Sequence, residues 1–127
     1  MTSSATVSTK TAQTSQQSIL AFDGQDDYID LGKKAAYKIA QTLTLEAWIY
    51  VTSQTQWASI IGNIFDTGAT ESGYSLLLDG SSGCYFTLKI TSTGIQYLHS
   101  GANTINLNQW HHIAGTYDGQ TMKLYIE

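Results

Sequence analysis

Three aspartates near the start of the chain could bind a hard cation. Asp23, Asp26 and Asp27 crowd one short string, Asp-Gly-Gln-Asp-Asp, and carboxylate oxygens are the ligands that Ca²⁺ prefers. The string is not an EF-hand loop, because it lacks the glycine at the sixth position and the terminal bidentate glutamate. Turn chemistry is the alternative, since aspartates also populate turns by hydrogen-bonding to the backbone. A calcium site at these three residues is therefore one prediction.

Aromatic side chains are the second candidate for chemistry, since the chain has three Trp and eight Tyr. A sugar ring can stack its C–H edges on such faces while amide and carboxyl groups bind its hydroxyls. Four aromatic residues are predicted to face a ligand: Trp57, Tyr74, Tyr85 and Tyr97. Trp48 and Trp110 lie inside strong strand patterns and are predicted to be buried.

The residue types needed for catalysis are sparse. Glycoside hydrolysis requires two carboxylates placed roughly 5–9.5 Å apart across a sugar, and Glu46 has no acidic neighbour along its strand, so we expect it to be structural. His111 and His112 are adjacent on a predicted strand, so we expect them to point to opposite faces and not to bind the same metal ion. The single Cys84 allows neither an internal disulfide nor a CxxC zinc motif. These patterns favour a binding protein over an enzyme.

Charge and hydropathy exclude two classes of partner. The net charge is −4, and all six basic residues are lysine, whereas nucleic-acid binding normally needs a basic surface. The apolar runs are only a few residues long, so we expect no membrane insertion. The first thirty residues show no charged segment followed by an apolar one, as a secretion signal would.

Two segments of different composition divide the chain. Residues 1–18 are dominated by Ser, Thr and Gln, which bury too little apolar surface to offset the entropy of ordering the chain. We predict a disordered leader there and one folded domain over 19–127. A glycosylated stalk is the alternative for the leader.

Short strand-like runs follow one another through the predicted domain. The run 43–51 alternates apolar and polar residues with a period of two and is predicted to be a central strand. Runs 19–22 and 27–31 flank Asp-Gly-Gln-Asp and predict a hairpin, as do the runs on either side of Asp118-Gly119. Residues 33–41 predict one short helical turn on the surface. Many strands without alternating helices indicate an all-β antiparallel sandwich or barrel.

The order of these runs resembles a known family. Taken together, four runs are similar to the bacterial laminin G-like branch of the concanavalin A-like lectin/glucanase superfamily. They are ILAFDGQDDYIDLG, LTLEAWIYV, GYSLLLDG and LNQWHHIAGTYDGQTMKLYIE. The resemblance covers residues 19–127 and implies an all-β, antiparallel two-sheet jelly-roll sandwich. In that family further strands follow the K-L-Y-I strand. We therefore expect a sandwich that lacks its C-terminal strands, either because the sequence is truncated or because another chain supplies them by domain swapping or strand donation.

The resemblance also implies a function. Members of the family bind carbohydrate or other cell-surface ligands, often with calcium, which implies an extracellular or cell-surface location and a non-catalytic recognition module. The alternative is a structural, protein-interaction module of a larger assembly. A glycan-processing enzyme of the glucanase type is the third hypothesis, but the E-x-D-x-x-E run of those enzymes does not occur in this sequence.

Overall fold

A computed structural model of the chain describes residues 6–8, 20–39, 41–66, 71–89 and 94–127. The chain divides into two compact units, Met1–Ala35 and Ala36–Glu127. The prediction of a disordered leader over 1–18 is wrong at residues 6–8, which form a strand. The rest of that leader lies outside the described residues, so its disorder stays a prediction.

The first unit contains a two-stranded antiparallel sheet. Strand β1 (Thr6–Ser8) pairs with β2 (Tyr28–Asp30), with Val7 opposite Ile29. The hairpin predicted between 19–22 and 27–31 is wrong, because residues 20–27 form no strand and β2 pairs with β1. Asp23 accepts a hydrogen bond from the N–H of Gln25 at 2.9 Å, and side chain to backbone bonds of this kind compete with strand pairing.

The remaining elements are almost entirely strands. A 3-10 turn at Ala35–Tyr37 confirms the short helical turn predicted at 33–41. Eight strands follow in the described residues: β3 (Leu43–Tyr50), β4 (Ser59–Gly62), β5 (Phe65–Asp66), β6 (Glu71–Leu78), β7 (Cys84–Lys89), β8 (Gln96–His99), β9 (Trp110–Tyr117) and β10 (Met122–Ile126). Within the described ranges, no helix has the length and apolar character needed to cross a bilayer.

One sheet of the second unit has three antiparallel strands in the order β10–β9–β3. The predicted hairpin between β9 and β10 is confirmed. Gly119 adopts a φ of +99° in its turn. Asp118 Oδ1 accepts hydrogen bonds from the N–H groups of Thr121 and Gln120 at 2.7 and 2.9 Å. These hydrogen bonds lower the pKa of Asp118. Strand β3 was predicted to be central, but among the described residues it pairs with β9 alone and lies at the edge.

The other sheet has the antiparallel order β4–β6–β7–β8, and β5 also pairs with β6. Strand β7 pairs with β6 on one side and β8 on the other, so that Tyr85 lies opposite both Leu77 and His99. A register shift between Ser59 and Ile61 interrupts the pairing of β4 with β6. The two sheets confirm the predicted all-β antiparallel sandwich.

The core lies between the two sheets. Leu45 and Ile113 of the three-stranded sheet pack with Leu76 and Phe86 of the other sheet, and the last three of these are fully buried. Gly115 on β9 allows this approach, since a Cβ there would lie 2.7 Å from the Phe86 ring. Close packing of these apolar residues holds the sheets together.

Two tryptophans lie on the surface and not in the core. Trp48 is 64% exposed and Trp110 is 47% exposed, so the prediction that both are buried is wrong. On β3 the core-facing residues are Leu43 and Leu45, and the period of two turns Trp48 to the opposite face. Trp110 shares that face, because it lies opposite Tyr50 in the β3–β9 ladder. Strand patterns established the alternation but not which face is covered.

Candidate functional site

Four rings on the outer face of the β4–β6–β7–β8 sheet lie in contact, and we call them the aromatic row: Trp57, Tyr85, Tyr97 and His99. Tyr85 contacts each of the others. Its ring stacks on Trp57 with centroids 5.3 Å apart and on His99 at 4.3 Å, and meets Tyr97 edge-on at 6.2 Å. These separations are typical of favourable aromatic pairs.

The strand register explains why these rings meet. Phe86 and Leu88 point into the core, so Tyr85, which alternates with them on β7, points outward. His99 lies directly opposite Tyr85 on β8, and Tyr97 lies opposite Thr87, one step along the same face. Ring contact across neighbouring strands therefore follows from the register.

Trp57 enters the aromatic row from a loop and not from a strand. It precedes β4 and adopts a φ of +65°, a conformation that bulky residues rarely adopt. Its N–H donates to the Leu78 carbonyl oxygen at 3.0 Å, which holds the loop against β6. The side chain is 54% exposed, as the sequence predicted for it.

A buried carboxylate supports the His99 end of the aromatic row. Asp79 directly follows β6 and is 5% exposed. Its oxygens accept hydrogen bonds from Ser81 N–H at 2.8 Å, Ser81 Oγ–H at 2.8 Å and Gly83 N–H at 2.7 Å, and Asp79 Oδ2 also bonds to His99 Nε2. Burial raises the pKa of Asp79, but these hydrogen bonds outweigh it and lower the pKa to about 2. The carboxylate is therefore ionised at neutral pH.

Gly83 makes room for this pair. A Cβ at residue 83 would lie 2.3 Å from the Gly101 carbonyl oxygen and 2.9 Å from Asp79 Oδ2. Both distances are too short for a real contact, so the Asp79–His99 geometry depends on a glycine at this position.

The structure places the predicted ligand-facing residues in two locations. Trp57, Tyr85 and Tyr97 come together in the aromatic row. Tyr74 does not join them, because it is 6% exposed and its hydroxyl donates to the Tyr37 carbonyl oxygen at 2.8 Å. We therefore assign Tyr74 to the core. Sequence reasoning missed His99, although its position two residues after Tyr97 on one strand would have placed both on the same face.

A second group of exposed rings, which we call the aromatic face, lies on the outer side of the β10–β9–β3 sheet: Trp48, Tyr50, Trp110 and Tyr125. Tyr50 meets Trp110 edge-on with centroids 5.6 Å apart. His112 lies 5.2 Å from Trp48, and its Nε2 is 3.6 Å from an oxygen of Glu46. Glu46 is exposed there. His112 is partly exposed on this face, whereas its neighbour on β9, His111, is buried, as expected for adjacent strand residues.

The three aspartates predicted to bind calcium lie together in the first unit. One carboxylate oxygen from each of Asp23, Asp26 and Asp27 falls within 4.8 Å of the others. Asp27 Oδ2 also accepts a hydrogen bond from the Asp23 N–H at 3.1 Å. Three carboxylate oxygens are a donor set that suits a hard cation such as Ca²⁺, and turn chemistry accounts for part of the same arrangement. Calcium therefore stays a prediction.

Comparison with protein families gives a match that covers most of the chain. The model of a laminin G family, described as the concanavalin A-like lectin/glucanases superfamily, matches residues 23–127. No curated protein and no solved structure matches the chain. The matched region includes every residue of the aromatic row, the Asp79–His99 pair and the aromatic face.

Proposed function

Because the chain belongs to the concanavalin A-like lectin/glucanase superfamily, we propose that it is a non-catalytic recognition module that binds carbohydrate at the aromatic row. The observation that carries this proposal is the contact of Trp57, Tyr85 and His99 on an outer sheet face. A site of this kind needs apolar surface and a few placed polar groups, and the row offers both.

The rings supply the apolar surface. Trp57 and Tyr97 are each more than half exposed, and Trp57 is nearly parallel to Tyr85, with 20° between the ring planes. A pyranose presents C–H groups on its flat faces, and these pack on the electron-rich face of an aromatic ring. Such stacking favours a sugar over an anion, which the electron-rich ring faces would repel.

Asp79 supports a binding role over a catalytic one. A glycosidase needs a carboxylic acid with a raised pKa to protonate the leaving group. The pKa of Asp79 is instead lowered to about 2 by its hydrogen bonds. A carboxylate held in its ionised form by four donors suits the orientation of His99 better than proton transfer to a substrate.

Affinity electrophoresis in gels that contain soluble polysaccharides tests the proposal. Trp57→Gly removes the indole from the aromatic row. It should raise the dissociation constant measured from the retardation about tenfold, as the loss of one stacked ring predicts. Trp48→Ala is the matched control, because it removes an exposed tryptophan from the aromatic face and should leave retardation unchanged.

Two results would contradict the proposal. Wild-type protein that unfolds cooperatively but is retarded by no polysaccharide in a broad panel would remove the carbohydrate function. Retardation that Trp48→Ala abolishes and Trp57→Gly preserves would move the site to the aromatic face.

The aromatic face supports a second candidate, a protein-interaction module. Trp48, Tyr50, Trp110 and Tyr125 are all exposed there, and Trp and Tyr are enriched in the centres of protein interfaces. Light scattering across a range of concentrations, with Trp48→Ala/Trp110→Ala for comparison, tests self-association. A wild-type monomer at every concentration that also captures no partner would count against this candidate.

A further inference from the structure

His99 contacts the rest of the aromatic row in a way that leaves one ring nitrogen for a ligand. Its Nε2 bonds to Asp79 Oδ2, and one face of its ring stacks on Tyr85. The described contacts do not involve Nδ1, and the side chain is 33% exposed. An ionised carboxylate only accepts hydrogen bonds, so Nε2 carries the hydrogen, and in the tautomer with its hydrogen on Nε2 alone Nδ1 is an acceptor.

We propose that Asp79 and His99 make the aromatic row selective for neutral, hydroxyl-bearing sugars. His99 is the specificity-determining residue, whose Nδ1 accepts a hydrogen bond from a sugar hydroxyl. Asp79 is a positioning residue that fixes the orientation and tautomer of the imidazole. This inference rests on the proposed function and names the class of sugar that the row would bind.

Charge at this end of the row explains the selectivity. The Asp79 carboxylate and the Nδ1 lone pair are both electron-rich, and a sugar carboxylate placed beside them would be repelled. Lys89 lies on the same outer face of β7 as Tyr85, four residues further along the strand. Because His99 pairs with Tyr85, Lys89 lies away from the His99 end of the aromatic row. The group next to His99 should therefore be a hydroxyl and not a carboxylate.

Several further contacts hold the Asp79 carboxylate in place beneath His99. Asp79 is buried and accepts hydrogen bonds from Ser81 and Gly83 in addition to His99. A Cβ on Gly83 would collide with the Asp79 carboxylate. The orientation of an exposed imidazole thus depends on a fully hydrogen-bonded carboxylate beneath it, which is how proteins fix a histidine tautomer.

Matched neutral and acidic probes test the selectivity. Dextran, hydroxyethyl cellulose, galactomannan and xylan are each compared by affinity electrophoresis with their carboxymethylated forms. We expect the wild-type protein to bind a neutral polysaccharide at least about tenfold more tightly than its carboxymethylated form. His99→Phe keeps a ring against Tyr85 but removes the acceptor, so binding of the neutral polysaccharide should fall about tenfold.

The tautomer of His99 is a second measurement, and it would not change if Asp79 had only a structural role. In ¹⁵N spectra of the imidazole groups, His99 should show a protonated Nε2 and an unprotonated Nδ1 in wild-type protein. His99→Phe identifies its signals among the three histidines. Asp79→Asn should mix the two tautomers and weaken binding while Trp57-dependent stacking persists. The His99→Phe comparison decides the proposal even where Asp79→Asn does not fold.

The outcomes separate this inference from the function on which it rests. Binding that depends on Trp57, but is equal for neutral and carboxymethylated probes or unchanged in His99→Phe, overturns the inference and leaves the carbohydrate function intact. A His99 that is protonated on Nδ1 in the wild type also overturns it. Folded wild-type protein that binds none of the eight probes contradicts both.

Discussion

Trp57 combines backbone strain with an exposed position in the aromatic row. Its φ of +65° costs a non-glycine residue about 1–2 kcal/mol, and strain of this kind is often retained where a side chain has a function. We expect Trp57→Gly to leave the free energy of unfolding within about 1 kcal/mol of wild type, since relief of strain offsets the lost contact with Tyr85. Urea unfolding measures it. A loss above about 3 kcal/mol would instead make Trp57 a structural residue.

Asp79 should make stability depend on pH in the acid range. Its pKa is lowered from 3.8 to about 2 in the folded protein, so the folded state binds the proton less tightly than the unfolded state. The resulting stability, about 2 kcal/mol, is fully present above pH 3.8 and is lost as the pH falls through about 2.

Urea unfolding of wild-type protein and Asp79→Asn between pH 5 and pH 2 measures this contribution. The wild type should lose more free energy of unfolding over this range than the variant. Other carboxyl groups, such as Asp118 with its lowered pKa, titrate in both proteins, so the difference reports Asp79. Parallel pH profiles would show that the hydrogen bonds to Asp79 do not favour its ionised form.

Calcium binding at Asp23, Asp26 and Asp27 is directly measurable. Isothermal titration calorimetry with CaCl₂ should give a binding heat for the wild type that is lost in Asp26→Asn, because one of three carboxylate ligands becomes neutral. Asp118→Asn changes a turn aspartate outside this group and should bind calcium as the wild type does. A wild type that gives no heat would leave turn chemistry as the role of these residues.

Residue-level predictions depended on knowing which face of a strand is covered. A period of two predicts that Tyr85 faces away from Phe86, and it does. The same period cannot say which face meets the core, so Trp48 and Trp110 were predicted to be buried and are exposed. Tyr74 was predicted to face a ligand and lies in the core, because β6 turns that side chain toward Tyr37. The Asp79–His99 pair joins residues 20 positions apart, and no local pattern indicates it.

At the scale of elements, Gly115 on β9 sets how closely the two sheets approach. Gly115→Ala would place a Cβ 2.7 Å from the Phe86 ring, which is fully buried and cannot move away easily. We expect a loss of about 1–3 kcal/mol in the free energy of unfolding from overpacking. Gly80→Ala is the control, because its Cβ would lie 3.4 Å from Gln56 Cβ, an ordinary contact. Equal stability of both variants would mean that the sheets can separate without cost.

Elements with strong local signals could be predicted from the sequence, whereas their partners could not. Asp118-Gly119 is a short-range hairpin signal, and the β9–β10 hairpin is present. Strand β2 has no such signal toward β1, because the two strands are separated by the segment between Ser8 and Tyr28. Strand β3 has the alternation expected of a central strand, yet it pairs with β9 alone among the described residues. Position in a sheet depends on distant pairing, which short windows do not contain.

At the scale of the whole molecule, the all-β class and the family could be recognised before the structure. Their basis was the order of many short strands, and a family match over residues 23–127 agrees with it. The division of strands between two sheets could not be read from that order, because consecutive strands such as β3 and β4 belong to different sheets. The ligand-facing surface depends on that division, which is why the row had to be found in the structure.

The pairing of β3 with β9 also has a consequence for how the protein is made. Paired residues in this ladder are 60 to 74 positions apart in the chain, and such distant contacts form slowly. During synthesis at roughly 5–20 residues per second, β3 leaves the ribosome roughly 3–15 seconds before its partner exists. For that interval Trp48 and Tyr50 belong to a nascent strand with an unpaired edge, a substrate for chaperones and for other nascent copies.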